Sequence, residues 1–123
     1  MRPTLYLLLV LAAAPAQAEW LKVAETAAAS YYLEAESIHK DGPRRKVWEV
    51  RDLNQPQKSG ELSRRELQEY HCRGERFRSI SYAAYSGPMA GGKLVSSRSA
   101  PADWTYVPYK TPYESVLRLV CWL

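Results

Sequence analysis

The chain ends in its only strong helix. Thr111–Leu123 reads TPYESVLRLVCWL, and Tyr113, Val116, Leu117, Val120 and Cys121 recur at i, i+3, i+4, i+7 and i+8. That spacing draws one apolar stripe along a helix, and the stripe must be covered for the helix to persist. Leu119, Trp122 and Leu123 widen the apolar surface, while Glu114, Ser115 and Arg118 fall off it. Thr111, Pro112 and Glu114 fit the N-cap, N1 and N3 positions of a capping box. In that arrangement Thr111 Oγ1 accepts the Glu114 N–H, and the Glu114 carboxylate accepts the Thr111 N–H.

Upstream, the pattern is that of strands. Trp20–Ala24, Tyr31–Ala35, Arg44–Leu53, Arg76–Ser86 and Lys93–Ser97 read as strands, and Trp104–Val107 as extended chain. Residues 37–43 read as a turn region. Arg44–Leu53 alternates most clearly: Val47, Glu49, Arg51 and Leu53 face one way, and Lys46, Trp48, Val50 and Asp52 the other. Leu62–Cys72 is rich in helix formers, but its apolar residues make no helical stripe and Gly74 offers a tight turn, so a strand is expected. Strands first and one helix last exclude a parallel α/β fold. The expected class is α+β: an antiparallel sheet of five or six strands with the C-terminal helix packed on one face and tied there by a disulfide.

The N-terminus reads as a leader. Arg2 supplies positive charge, Leu5–Ala14 is almost wholly apolar, and Ala16-Gln17-Ala18 is an A-x-A cleavage site. The apolar run is too short to span a bilayer. Residues 1–18 are therefore expected to be a cleaved signal peptide, and residues 19–123 one exported domain without a transmembrane segment or a lipid-attachment cysteine. In an oxidising compartment the two cysteines, Cys72 and Cys121, read by default as a disulfide. It would be worth roughly 4 kcal/mol on the chain-entropy model. Two buried thiols, an intermolecular bond and a two-cysteine metal site are the alternatives. Seventeen Lys and Arg stand against 13 Asp and Glu. That mild excess suits an anionic surface or polymer but is too weak for nucleic acid.

Several motifs invite chemistry. Gly87–Lys93 matches G-x-x-x-x-G-K, but Leu94 replaces the Mg²⁺-binding Ser or Thr and a strand follows instead of a helix. A hairpin loop with glycines at positive φ is expected there. His39 and His71 are the only histidines, and no G-x-S-x-G supports a nucleophile. Trp20, Trp48, Trp104 and Trp122 lie on four elements; a shared aromatic core under the helix is expected, with an exposed stacking platform as the alternative. Arg73, Arg76 and Arg78 surround a turn, and clustering with Arg64 or Arg65 would make a partner-binding surface for acidic polysaccharide or an acidic glycoprotein stretch. The alternative is a solvated face neutralised by Glu66, Glu69 and Glu75.

In chain order, Trp20 with Val23, Tyr31-Tyr32 before Ser37-Ile38, Val47-Trp48 with Asp52-Leu53, Ser63, Cys72, Arg78, Tyr85-Ser86, Trp104, Val107-Pro108 and Cys121 resemble the surface-adhesin protein E family of Gram-negative bacteria. The resemblance implies an antiparallel sheet with a disulfide-held C-terminal helix. It also implies adhesion to host extracellular-matrix or serum glycoproteins, with no enzymatic activity and no cofactor. The expected protein is an exported, non-enzymatic binding protein of the periplasm or outer-membrane surface. Its partner is a protein, either a host glycoprotein or an envelope protein, and a homodimer is admitted. A periplasmic accessory or structural protein that packs on an envelope partner is the rival reading. A small-ligand binder using the cleft between helix and sheet is a third.

Overall fold

The computed structural model describes residues 3–4 and 19–123. The leader's apolar run and its Ala16-Gln17-Ala18 site lie outside those residues. Among the described residues the strands are β1 (Leu21–Glu25), β2 (Ala29–Leu33), β3 (His39–Asp41), β4 (Arg44–Leu53), β5 (Ser63–His71), β6 (Arg76–Tyr85), β7 (Leu94–Arg98) and β8 (Thr105–Tyr106), followed by α1 (Pro112–Trp122). They form one antiparallel sheet in the order β1-β2-β4-β5-β6-β7, with β3 on β4 and β8 on β6.

The sheet thus has eight strands where five or six were expected, and the reason is visible in the register. β2 pairs with residues 49–53 of β4, and β3 returns to pair with residues 44–46. β7 and β8 divide β6 in the same way, β7 taking Tyr82–Tyr85 and β8 taking Arg76 and Phe77. The two extra strands are three and two residues long. That is too short for a two-residue alternation to declare itself, so residues 39–41 read as turn.

The helix covers one face. Leu33, Val47, Tyr70, Val116, Leu117 and Val120 form the buried core, ringed by Val23, Ile38, Phe77, Val107, Leu119 and Cys121. Of the stripe read from the sequence, Val116, Leu117 and Val120 are buried, and Tyr113 and Cys121 are half-buried. Full burial of each such aliphatic side chain contributes about 1.5–3 kcal/mol. Cys72 and Cys121 are disulfide-bonded across 49 residues of sequence, with their Cα atoms 5.7 Å apart. Arg45 Nε donates to the Val120 carbonyl at 3.2 Å, satisfying one of the acceptors a helix leaves free at its C-terminus.

Two local expectations fail. The capping box does not form: Thr111 Oγ1 donates instead to the Pro108 carbonyl at 2.7 Å, and Glu114 Oε2 accepts the Lys110 N–H at 3.2 Å. Lys110 adopts φ 58°, and this turn presents its own N–H to Glu114. The tryptophans do not share a core either. Trp122 is 86% exposed, and Trp20, Trp48 and Trp104 are half-buried. The rings between helix and sheet are Tyr70, Phe77 and the helix's own Tyr113, with Phe77 6.0 Å from Tyr70 and 4.8 Å from Tyr113. An indole N–H needs a hydrogen-bond partner when buried, which a phenylalanine ring does not.

Candidate functional site

Strand alternation sends every second side chain of β4, β5 and β6 to the face that α1 leaves open. Register then sorts them into rows. Arg44, His71, Arg76 and Tyr106 stand side by side on β4, β5, β6 and β8. Lys46, Glu69 and Arg78 form the next row, and Trp48, Leu67 and Ser81 the one after it. Neighbouring strands are about 4.8 Å apart, and β3 adds Asp41 opposite Arg44 and His39 opposite Lys46, so the first two rows make a compact field with an excess of cations over Asp41 and Glu69.

Aromatic rings hold these cations in place. Trp104, just before β8, has the Arg78 guanidinium 4.5 Å and that of Arg44 5.9 Å from its ring centroid. The His71 ring meets it edge-on, with centroids 6.1 Å apart at 85°. Arg76 lies 5.2 Å from the Tyr106 ring and Arg65 3.9 Å from that of Trp48. Such contacts contribute about 0.5–1 kcal/mol at exposed sites and restrict the arginines without neutralising them. His71 Nδ1 accepts the Gly74 N–H at 3.0 Å, which places the proton of the neutral ring on Nε2. Arg44, His71, Gly74, Arg76 and Trp104 line a half-open pocket of about 170 Å³.

The arginines singled out in the sequence divide. Arg76 and Arg78 meet on the open face, and Arg65 lies farther along it. Arg73 is exposed in the turn beside Gly74. Arg64 is on the helix-bearing face, held by Glu61 at 2.6 and 3.1 Å and stacked 4.1 Å from Tyr82. Arg78 pairs with the buried Glu69 at 2.8 Å. Among the described residues, Arg44, Lys46 and Arg76 form no ion pair. Arg44, Lys46, His71 and Trp104 were not foreseen as members of this cluster. The signal that places His71 and Arg44 was nonetheless present: the tight turn at Gly74 sets His71 opposite Arg76, and β4 pairing sets Arg44 opposite His71.

The covered face treats charge differently. Glu49 is buried, its Oε2 accepts from Tyr70 Oη at 2.6 Å, and burial pushes its carboxyl up to about 8. Burial and the neighbouring Glu49 also raise the Tyr70 phenol well above its ordinary value. Between α1 and the sheet, Tyr31, Glu49, Arg51, Gln68 and Tyr113 border a hole of about 10 Å³. That volume is about one water, so this cleft has no room for a small ligand.

The Gly87–Lys93 stretch is a hairpin loop and not a phosphate cradle. Lys93 leads into β7. Met89 and Ala90 as well as Gly92 adopt positive φ, whereas Gly87 and Gly91 do not. Gly87 is required for another reason: a Cβ there would lie 2.9 Å from the Gly91 backbone. The loop is clamped to the sheet by the Met89 N–H on Asp52 Oδ1 at 2.9 Å and the Ala90 N–H on Ser63 Oγ at 2.8 Å. No group of three or more potential metal ligands occurs among the described residues, and no helix there is long and apolar enough to cross a membrane.

A helix bonded to one sheet face and a cationic–aromatic field on the other define a small α+β domain built to present a surface. The family model for surface-adhesin protein E matches residues 20–122, and the chain belongs to that family. Three structures of Haemophilus influenzae protein E share its fold. Crystal form II is 14% identical with TM-score 0.66, covering 86% of this chain and 89% of that one. The selenomethionine form is 13% identical with TM-score 0.66, covering 86% and 88%. Protein E from non-typeable Haemophilus influenzae is 13% identical with TM-score 0.64, covering 86% and 77%. At such identities the likeness concerns the fold alone. No curated protein matches the chain in sequence.

Proposed function

We propose that this chain is an exported, adhesin-like binding protein whose open sheet face engages a protein partner, a matrix or serum glycoprotein of a host. Membership of the surface-adhesin protein E family across residues 20–122 carries the reading. The open face supports it, because its cations are stacked on aromatic rings and largely left without acidic partners. Arg65, Arg73, Arg76 and Arg78 are the proposed contacts, and the domain acts by binding rather than by catalysis. The leader is proposed to be removed after Ala18.

The mature domain, Glu19–Leu123, should bind at least one of a panel of immobilised matrix and serum glycoproteins at physiological salt. Protease shaving of intact cells should remove it while a periplasmic control survives. If no glycoprotein in the panel retains the domain, the adhesive reading falls. Protection until the outer membrane is opened would move the partner into the envelope.

A further inference from the structure

We propose that the pocket between Arg44, His71, Arg76 and Trp104 binds an acidic sugar of a sulfated glycosaminoglycan, with the chain continuing over Lys46 and Arg78. The proposal rests on the adhesive reading of the open face and names the ligand that face takes.

Four observations carry it. The pocket of about 170 Å³ is well below the roughly 300–1,000 Å³ of sites that enclose drug-sized ligands, and suits a single ring. Its walls are two guanidiniums, an imidazole, a glycine and an indole, with no aliphatic side chain, so it offers no anchor to an apolar peptide residue. Guanidinium forks match pairs of oxygens on carboxylate or sulfate with two hydrogen bonds, and His71 Nε2–H adds a further donor. The cations recur in two rows, Arg44 and Arg76 in one, Lys46 and Arg78 in the next, about 7 Å farther along the strands; Asp41 across from Arg44 and Glu69 on Arg78 offset part of that charge, leaving Arg44, Arg76 and Lys46 as the unpaired cations. A polymer bearing an anionic group on successive sugars can meet both rows at once. Tyr106, 71% exposed, borders the first row and offers its ring to the C–H face of the next sugar.

Titration calorimetry on the mature domain with a heparin-derived decasaccharide tests this. Binding should weaken at least tenfold in the double variant Arg44→Ala/Arg76→Ala. The charge-matched double variant Lys58→Ala/Arg98→Ala, which alters residues away from the pocket, should leave it within twofold. Trp104→Phe should weaken binding while keeping the unfolding midpoint. Three results would overturn the proposal: no binding of the decasaccharide, equal loss in both double variants, or equally tight binding of polyglutamate. A glycoprotein that binds equally well after its glycosaminoglycan is enzymatically stripped would leave adhesion standing and remove the sugar as its basis.

Discussion

The two faces of the sheet differ in how much of their charge is buried. Under α1, Glu49 is buried with its carboxyl held neutral by desolvation and bonded to Tyr70, and farther along that face Arg64 is locked to Glu61. On the open face, the buried Glu69 is paired with Arg78, whereas the more accessible Arg44, Lys46 and Arg76 have no ion-pair partner among the described residues. A buried unpaired ion costs several kcal/mol, so a covered face is expected to neutralise or pair its charges, although Arg51 there keeps a buried Nε without a hydrogen-bond partner. An uncovered face can keep them free at little cost, ready for a ligand. The buried groups, Glu49 under the helix and the Glu69–Arg78 pair on the other face, should therefore govern stability, and the exposed cations of the open face binding.

The largest effect should come from the bond that fixes the cover. Cys121→Ser should lower unfolding free energy by about 4 kcal/mol on the chain-entropy model, measured by denaturant titration; an unchanged midpoint would show that α1 holds its place unaided. Next comes Glu49. Its folded carboxyl titrates near 8 rather than 4.5, so between those values the unfolded chain loses a proton that the folded chain keeps. Its contribution to stability is therefore greatest at acid pH, falls as pH rises from about 4.5, and levels off above about 8. Glu49→Gln should remove that component, a few kcal/mol, and the difference between the two stability–pH curves isolates it. A smaller loss is expected for Arg78→Ala, about 1–3 kcal/mol, because Glu69, 2% exposed, would lose its charged partner. Arg44→Ala should shift stability by no more than about 0.5 kcal/mol while affecting binding. A large destabilisation there would break the contrast between the faces.

What could be read from the sequence follows the same division. The helix stripe, the long strands and the Cys72–Cys121 pairing were legible because each rests on a long periodic pattern or on a count with few solutions. β3 was not, being a three-residue internal segment that pairs with the free part of β4, and β8 was legible only as extended chain, not as a strand of the sheet. The capping box failed because three residues of the right types say nothing of the turn at Lys110 that redirects them. The face of each arginine was more accessible. Arg64 and Arg65 are sequence neighbours on β5, so alternation alone sends them to opposite faces, and the Val47↔Gln68 pairing fixes which faces those are. Trp104 belongs to an irregular segment with no period to read, and only the tertiary path of that segment along β6 brings it over Arg78.

Cys72 directly follows His71, and its bond runs to the last turn of α1. A pull on a ligand seated against His71 is therefore transmitted through sulfur into the helix and its buried stripe. Without that link, the same tension would act on the β5–β6 hairpin end first and open its hydrogen bonds one at a time, like a zipper. With it, the hairpin end and the helix are covalently coupled and must yield together. A single-molecule pulling measurement, before and after reduction, should show the rupture force drop once the bond is cut.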